Sequence, residues 1–256
     1  VAEVGEAPPL ETTDDRLFAG TLALRQPARR AGYRVNVDAI LLAAFAARAF
    51  APSDAPKRAR HAVDLGAGVG AVGLTLLHLG AAARVTLVER DATLVRLAAT
   101  NAEANGWADR VVLVHDDVRL AAKTIAAAAE LVVCNPPYVP PGRGRAPAEP
   151  VRAARYGDLD AFAFAARRFA GARARACFVY PAIEATTLLT TLRAHGLEPK
   201  RLRAVHGRAA ERARVVLVEA APGKPGGLAI EPPLVETLAD GSRARELDAL
   251  LQTPRR

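Results

Sequence analysis

The chain has 256 residues, 51% hydrophobic and 24% charged, with a formal net charge of +8. That length and apolar content suffice for one large α/β domain or two small ones, and exclude a disordered, collagen-like or disulfide-stapled chain. No run of about 18 uncharged apolar residues occurs, and the acidic, proline-containing start from Val1 to Arg16 is unlike a signal peptide, so a soluble cytoplasmic protein without a membrane partner is expected.

Residues 1–15 carry −5 and residues 16–60 carry +7, the latter including Arg25, Arg29, Arg30 and Arg34. Residues 1–60 read as an N-terminal extension packing on the core, with an amphipathic helix over Ile40–Phe50 and Asp38 as its N-cap. From His61, short β-branched runs alternate with Ala/Leu-rich stretches, the pattern of a mostly parallel sheet with helices on both faces. Strands are predicted at Ala62–Leu65, Arg84–Val88, Val111–Val114, Leu131–Cys134, Ala176–Tyr180 and Val215–Glu219. Helices are predicted at Val69–Leu79, Ala92–Asn105, Leu159–Ala170 and Ile183–His195, with Asn105-Gly106 closing the second. Glu198–His206 and Ala213–Ala220 read as an antiparallel hairpin at the sheet edge, so residues 61–222 form the domain and residues 223–256 a peripheral C-terminal extension.

Residues 139–157, rich in Pro, Gly and Arg, read as a loop over the strand ends, and residues 143–214 carry +9. Guanidinium forks such as those of Arg143 and Arg145 suit phosphate contacts, although an arginine-rich solvated surface would look the same. Cys134 and Cys177 lie in apolar runs and read as buried free thiols; no histidine has a ligand-spaced partner, so no metal site is assigned.

Three motifs carry chemistry. In Val63-Asp64-Leu65-Gly66-Ala67-Gly68-Val69-Gly70 a strand runs through glycines into a helix, which lets backbone amides approach a ligand. Glu89, ending the next strand, can accept both hydroxyls of a ribose, so the pair suits a nucleotide-like cofactor. Gly68-Val69-Gly70-Ala71-Val72-Gly73 also satisfies the dinucleotide fingerprint, which leaves NAD open from this segment alone. After the third strand, Asp117 can accept from an adenine amino group, or Asp116 and Asp117 simply cap a turn. Asn135-Pro136-Pro137-Tyr138 follows the apolar strand Leu131–Cys134. Neither proline has an amide hydrogen, so this stiff turn offers carbonyl acceptors beside the Asn135 side-chain oxygen. Two such acceptors can grip both hydrogens of a planar NH2 group while Tyr138 stacks on its ring.

The glycine motif and Asn135-Pro136-Pro137-Tyr138 together resemble the class I methyltransferases that use S-adenosylmethionine and methylate amino groups on planar systems, over about residues 60–220. The resemblance implies a Rossmann-like, seven-stranded, mostly parallel sheet with an antiparallel edge hairpin. It also implies that Asp64, Gly66, Gly68, Gly70, Glu89, Asp117 and Asn135 bind S-adenosylmethionine and that Asn135, Pro136, Pro137 and Tyr138 are catalytic. The lead-in Leu22–Pro27 and the stretch Tyr33–Ala44 are similar to the bacterial valine-tRNA adenine-N(6) methyltransferase family, in which the segment matching Tyr33 to Asp38 borders the cofactor and target pocket; Asn36 departs from the small residue often found there. On that resemblance Tyr33, Asp38, Arg143 and Arg145 are candidate substrate contacts, and the expected activity is adenine-N(6) methylation of RNA, tRNA above all. A glutamine-amide methyltransferase acting on a protein such as a release factor, and an RNA-binding module without turnover, remain as alternatives; the sequence sets no oligomeric state.

Overall fold

The structure, a computed structural model, describes residues 11–28, 35–49, 58–125, 128–137 and 149–254, with residues 149–158 described as backbone alone. The chain opens with the hairpin β1 (Thr12–Leu17) and β2 (Leu22–Pro27) and the helix α1 (Val37–Ala46). There follow β3 (Ala59–Leu65), α2 (Ala71–His78), β4 (Ala82–Glu89), α3 (Ala92–Ala104), β5 (Val111–His115), α4 (Val118–Thr124), β6 (Ala129–Cys134), α5 (Glu149–Phe169) and β7 (Ala170–Pro181). The chain continues through α6 (Ala185–Ala194), β8 (Leu197–Arg208), β9 (Ala213–Pro222), β10 (Ala229–Ile230), β11 (Leu234–Thr237) and α7 (Arg245–Leu251).

The large sheet has nine strands where seven are expected: β5-β4-β3-β6-β7-β9-β8 in that order, parallel through β7 and with β9 antiparallel to both its neighbours, and β10 and β11 added on β8. Strand order reverses between β3 and β6, which opens a crevice above their carboxyl ends. Side-chain alternation along the strands divides the core between two faces: Leu131 and Val133 pack with α1 and α2, whereas Val132 and Cys134 pack under α5 with Phe162 and Phe169. This is the Rossmann-like α/β sheet, with helices on both faces, that the sequence predicts.

Helix α1 packs on the sheet but is buried on every side from Asp38 to Ala46, so it is a core helix without the polar face of the amphipathic helix expected over Ile40–Phe50, of which Phe50 lies outside the described residues. Asn36, not Asp38, is its N-cap. At the other end Arg201 donates to the Phe45 carbonyl and Arg175 to the Ala46 carbonyl, both at 2.8 Å, satisfying acceptors that a helix C-terminus leaves free. Both arginines also contact the Glu219 carboxylate, as does Arg48. Burial pushes the Glu219 carboxyl up, but the three guanidinium groups hold it below its ordinary value.

The hairpin β1–β2 stands outside the large sheet. Asn101 and Asn105, one turn apart on α3, supply its missing ladder: Asn105 exchanges two hydrogen bonds with the backbone of Ala23 (3.0 and 2.8 Å), and Asn101 exchanges two with that of Arg25 (2.6 and 2.9 Å). Three other expectations need correction. Residues after Gly223 are not peripheral: Leu234, Leu247 and Leu250 join the main core. The strands β10 and β11 pair parallel with β8, so the hairpin is not the bare edge of the sheet. A helix, α4, follows Asp117 where none was predicted, because Asp117 caps it.

Candidate active site

Strand register brings the site together. Leu65 is level with Val88 on one side and with Cys134 on the other, so the next residues of three neighbouring strands, Gly66, Glu89 and Asn135, emerge side by side at the reversal in strand order. They line a cavity of about 340 Å³, within the size range of small-molecule sites, together with Ala67, Gly68, Val69, Asp116, Asp117, Pro137 and Phe162.

Gly66 has φ +67, and a Cβ there would sit 2.9 Å from the Phe162 ring, so glycine alone lets the loop pass beneath α5. A Cβ at Gly73 would lie 2.4 Å from Leu87 Cδ2, which fixes how closely α2 can approach β4. Glu89 is 9% exposed; one carboxylate oxygen accepts from the Gly68 amide and the other from the Asp91 amide, each at 2.9 Å. Each oxygen keeps a lone pair for a further donor. Asp117 spends one oxygen on the Arg119 amide as the cap of α4, and Asp116 accepts from the Asp117 amide. Asn135 and Pro137 close the cavity at the end of β6, and among the described residues no group hydrogen-bonds the Asn135 side chain.

Of the predicted site residues, Gly66, Gly68, Glu89, Asp117, Asn135 and Pro137 share this cavity, whereas Asp64, Gly70, Pro136 and Asp38 do not line it. Asp64 lies beneath the loop, 1% exposed, where it accepts from the Gly73 amide at 2.8 Å and pins the first turn of α2. Burial pushes its carboxyl up to about 7, opposed by the Gly73 amide and assisted by the Glu89 charge. Gly70 is the left-handed N-cap of α2 and Pro136 is buried behind the turn. Asp38 turns away, toward Arg214. Tyr33, Tyr138, Arg143 and Arg145 lie outside the described residues. Val35 lies in the segment Tyr33 to Asp38 that the resemblance set beside the pocket, whereas Ala39, Leu94 and Phe162 were missed as cavity walls; being apolar, they carry no local signal. Among the described residues no cluster of three or more metal-ligating side chains occurs, and no helix is long and apolar enough to cross a membrane.

The lining suits S-adenosylmethionine. Glu89 keeps acceptor capacity on both carboxylate oxygens and Asp117 keeps one oxygen beyond its capping bond, so the lining presents acceptors to hydroxyl and amino donors and negative charge to a cationic ligand.

Comparison with known proteins agrees. The methyltransferase small domain family matches residues 40–146. In three dimensions the chain superposes on protein Atu636 from Agrobacterium tumefaciens with a TM-score of 0.65 at 23% identity, covering 83% of this chain and 94% of that one. It superposes on the Thermus thermophilus 16S rRNA N2 G1207 methyltransferase, solved in complex with AdoMet and guanosine, with a TM-score of 0.59 at 21% identity, covering 87% of this chain and 53% of the other. The chain shares the fold of these solved structures, and its residues 40–146, which carry the glycine loop, Glu89, Asp117 and Asn135, match the methyltransferase small domain.

In sequence the chain resembles the tRNA1(Val) (adenine(37)-N6)-methyltransferases. It is 34% identical over 114 residues to the enzyme of Pectobacterium carotovorum, covering 44% of this chain and 43% of the relative. To that of Dickeya chrysanthemi it is 33% identical over 164 residues, covering 62% and 61%. The chain thus spans from about two fifths to about three fifths of the length of these curated relatives.

Proposed function

We propose that the chain transfers a methyl group from S-adenosylmethionine to the exocyclic amino group of adenine in RNA, with tRNA as the substrate. One observation carries the reading: Asn135, its side-chain amide unengaged among the described residues, leads through the buried Pro136 to Pro137, and Asn135 and Pro137 line the cavity that Glu89 and the glycine loop also line. The names of the relatives support adenine of tRNA as the target.

In this proposal residues 61–222 are the catalytic unit, and residues 1–60 and 223–256 are extensions packed on it. Glu89, Asp117 and the loop Gly66–Gly70 hold the cofactor, with Asp64 supporting the loop from below. S-adenosylmethionine supplies a methyl carbon already activated by its sulfonium, so the protein's task is chiefly positioning. The target adenine leaves its stack, which costs a few kcal/mol and least in a loop. The Asn135 side-chain oxygen and the Pro136 carbonyl accept its two amino hydrogens and aim the nitrogen lone pair into the cavity. Tyr138 stacks on the ring, while Phe162 and Pro137 exclude water. The amino proton is lost once the nitrogen has become acidic, so no general base is required. Tyr33, Asp38 and the arginines Arg143 and Arg145 serve the RNA side, Asp38 through the segment it braces.

Incubation with labelled S-adenosylmethionine and unmodified tRNA, followed by nucleoside analysis, tests the proposal. Labelled N6-methyladenosine is expected; label in a release factor and none in tRNA would overturn it in favour of amide methylation.

A further inference from the structure

Val35 and Ala39 form a wall of the cavity, and the short stretch carrying them is held in place by groups that do not themselves line the cavity. Asn36, the cap of α1, accepts from the Asp38 amide at 3.1 Å and donates to one Asp38 carboxylate oxygen at 3.0 Å. The other oxygen receives Arg214 Nη1 at 2.5 Å. Arg214 lies in β9, 176 residues further along the chain, and its remaining donors grip Glu236 of β11, Nε at 3.1 Å and Nη2 at 2.8 Å. The Asp38 and Glu236 side chains are 12% and 15% exposed and that of Arg214 37%, so the two carboxylates are largely withdrawn from water while the guanidinium is open on one side. On the opposite flank Gln26, 4% exposed, accepts from the Val35 amide at 2.8 Å while its own amide donates to Asp15. The wall is suspended between the N-terminal hairpin and the C-terminal extension.

We propose that Arg214 is a positioning residue for the cofactor cavity: by bracing Asp38 against Glu236 it sets the Val35 and Ala39 wall at the spacing that encloses S-adenosylmethionine, with Gln26 as its counterpart on the other flank. The inference rests on reading this cavity as the cofactor site. A guanidinium is suited to the task because its planar fork engages two carboxylates from two different elements at fixed angles. A lysine keeps the charge but presents a single mobile ammonium, so it would neutralise the pair without fixing their separation.

The test measures S-adenosylmethionine binding by calorimetry, kcat at saturating cofactor and Tm for the full chain and for Arg214→Lys, Arg214→Ala and Glu236→Gln. Losing one charge-assisted contact predicts that Arg214→Lys raises the Kd for S-adenosylmethionine about tenfold. Its Tm stays within a few degrees of wild type and its kcat changes by less than about threefold. Glu236→Gln, which keeps the shape of the partner and removes its charge, raises Kd by about threefold. Should Arg214→Ala fail to fold, these two conservative variants decide the matter. A fall in Tm with Kd unchanged in all three variants would mean a merely structural role and overturn the inference. A wild-type chain that binds no S-adenosylmethionine refutes the cofactor reading, and this inference with it; binding by the wild type that Arg214→Lys matches refutes this inference alone.

Discussion

Glu89→Gln perturbs the proposed cofactor site while changing its shape least. In the native chain both carboxylate oxygens already accept a backbone amide at 2.9 Å, from Gly68 and from Asp91, and the side chain is almost wholly buried. A glutamine has one oxygen only, so whichever way its amide turns, one of those N–H groups meets an NH2 in place of an acceptor. The strained amide is present with and without cofactor, but the ionic acceptor lost to a ribose hydroxyl is felt only on binding. A hydrogen bond to a charged group contributes about 1.5–3 kcal/mol, and loosening of the Gly68 loop places the loss in the upper part of that range. A loss of about 2–3 kcal/mol corresponds to a 30- to 150-fold rise in Kd. Calorimetric titration with S-adenosylmethionine should show that rise, while the Kd for tRNA, read by fluorescence anisotropy, stays within about twofold because the phosphate contacts lie elsewhere. A cofactor Kd within threefold of wild type would refute the assignment of Glu89.

Asn135→Ala should lower turnover by about 100-fold or more, the scale of a misplaced reacting group, and leave S-adenosylmethionine binding unchanged; unaltered turnover removes the residue from its role. In Gly73→Ala the new methyl must displace Leu87, 2.4 Å away, for about 1–3 kcal/mol of overpacking, seen as a Tm lower by roughly 2–4 °C per kcal/mol. Asp64 gives a pH signature. Its carboxyl is raised by burial from 3.8 to about 7, so the native state holds a proton that the unfolded chain releases. Its contribution to stability is therefore full below 3.8 and falls as pH rises to about 7, by at most about 1.4 kcal/mol per unit. Asp64→Asn, which still accepts from Gly73, should thus gain stability relative to wild type between pH 5 and pH 8; denaturant titrations with a pH-independent difference would contradict this.

The glycine loop, Glu89 and the Asn135-Pro136-Pro137 turn were legible in the sequence because each is a local pattern attached to the end of an apolar strand. The register that makes them neighbours follows once those strands are parallel and adjacent. The hairpin β1–β2 was not legible: Thr12–Leu17 is mostly polar, and its partner strand is held by two asparagines some 80 residues away. A separation of 176 residues hid the part played by Asp38, whose partner Arg214 stands in β9. The C-terminal extension reads as peripheral in the sequence, although Leu234, Leu247 and Leu250 are apolar anchors of the kind that decide docking. Asp117 caps α4 and also lines the cavity, so the capping reading does not remove it from the site.

Cys134 is the last residue of β6, fully buried directly before Asn135, and Cys177 lies in the adjoining strand. Burial pushes the Cys134 thiol well up, helped by the Asp64 charge, and pushes that of Cys177 up to about 12, helped by Glu219. Only the thiolate reacts, so both sulfurs are closed to alkylating reagents while the sheet is intact. Their modification therefore requires the strand beneath the Asn135 turn to open, and a ligand that favours the closed sheet slows the reaction in proportion to its binding. The chain carries an internal reporter of breathing at the floor of its own cavity, one that needs no introduced label.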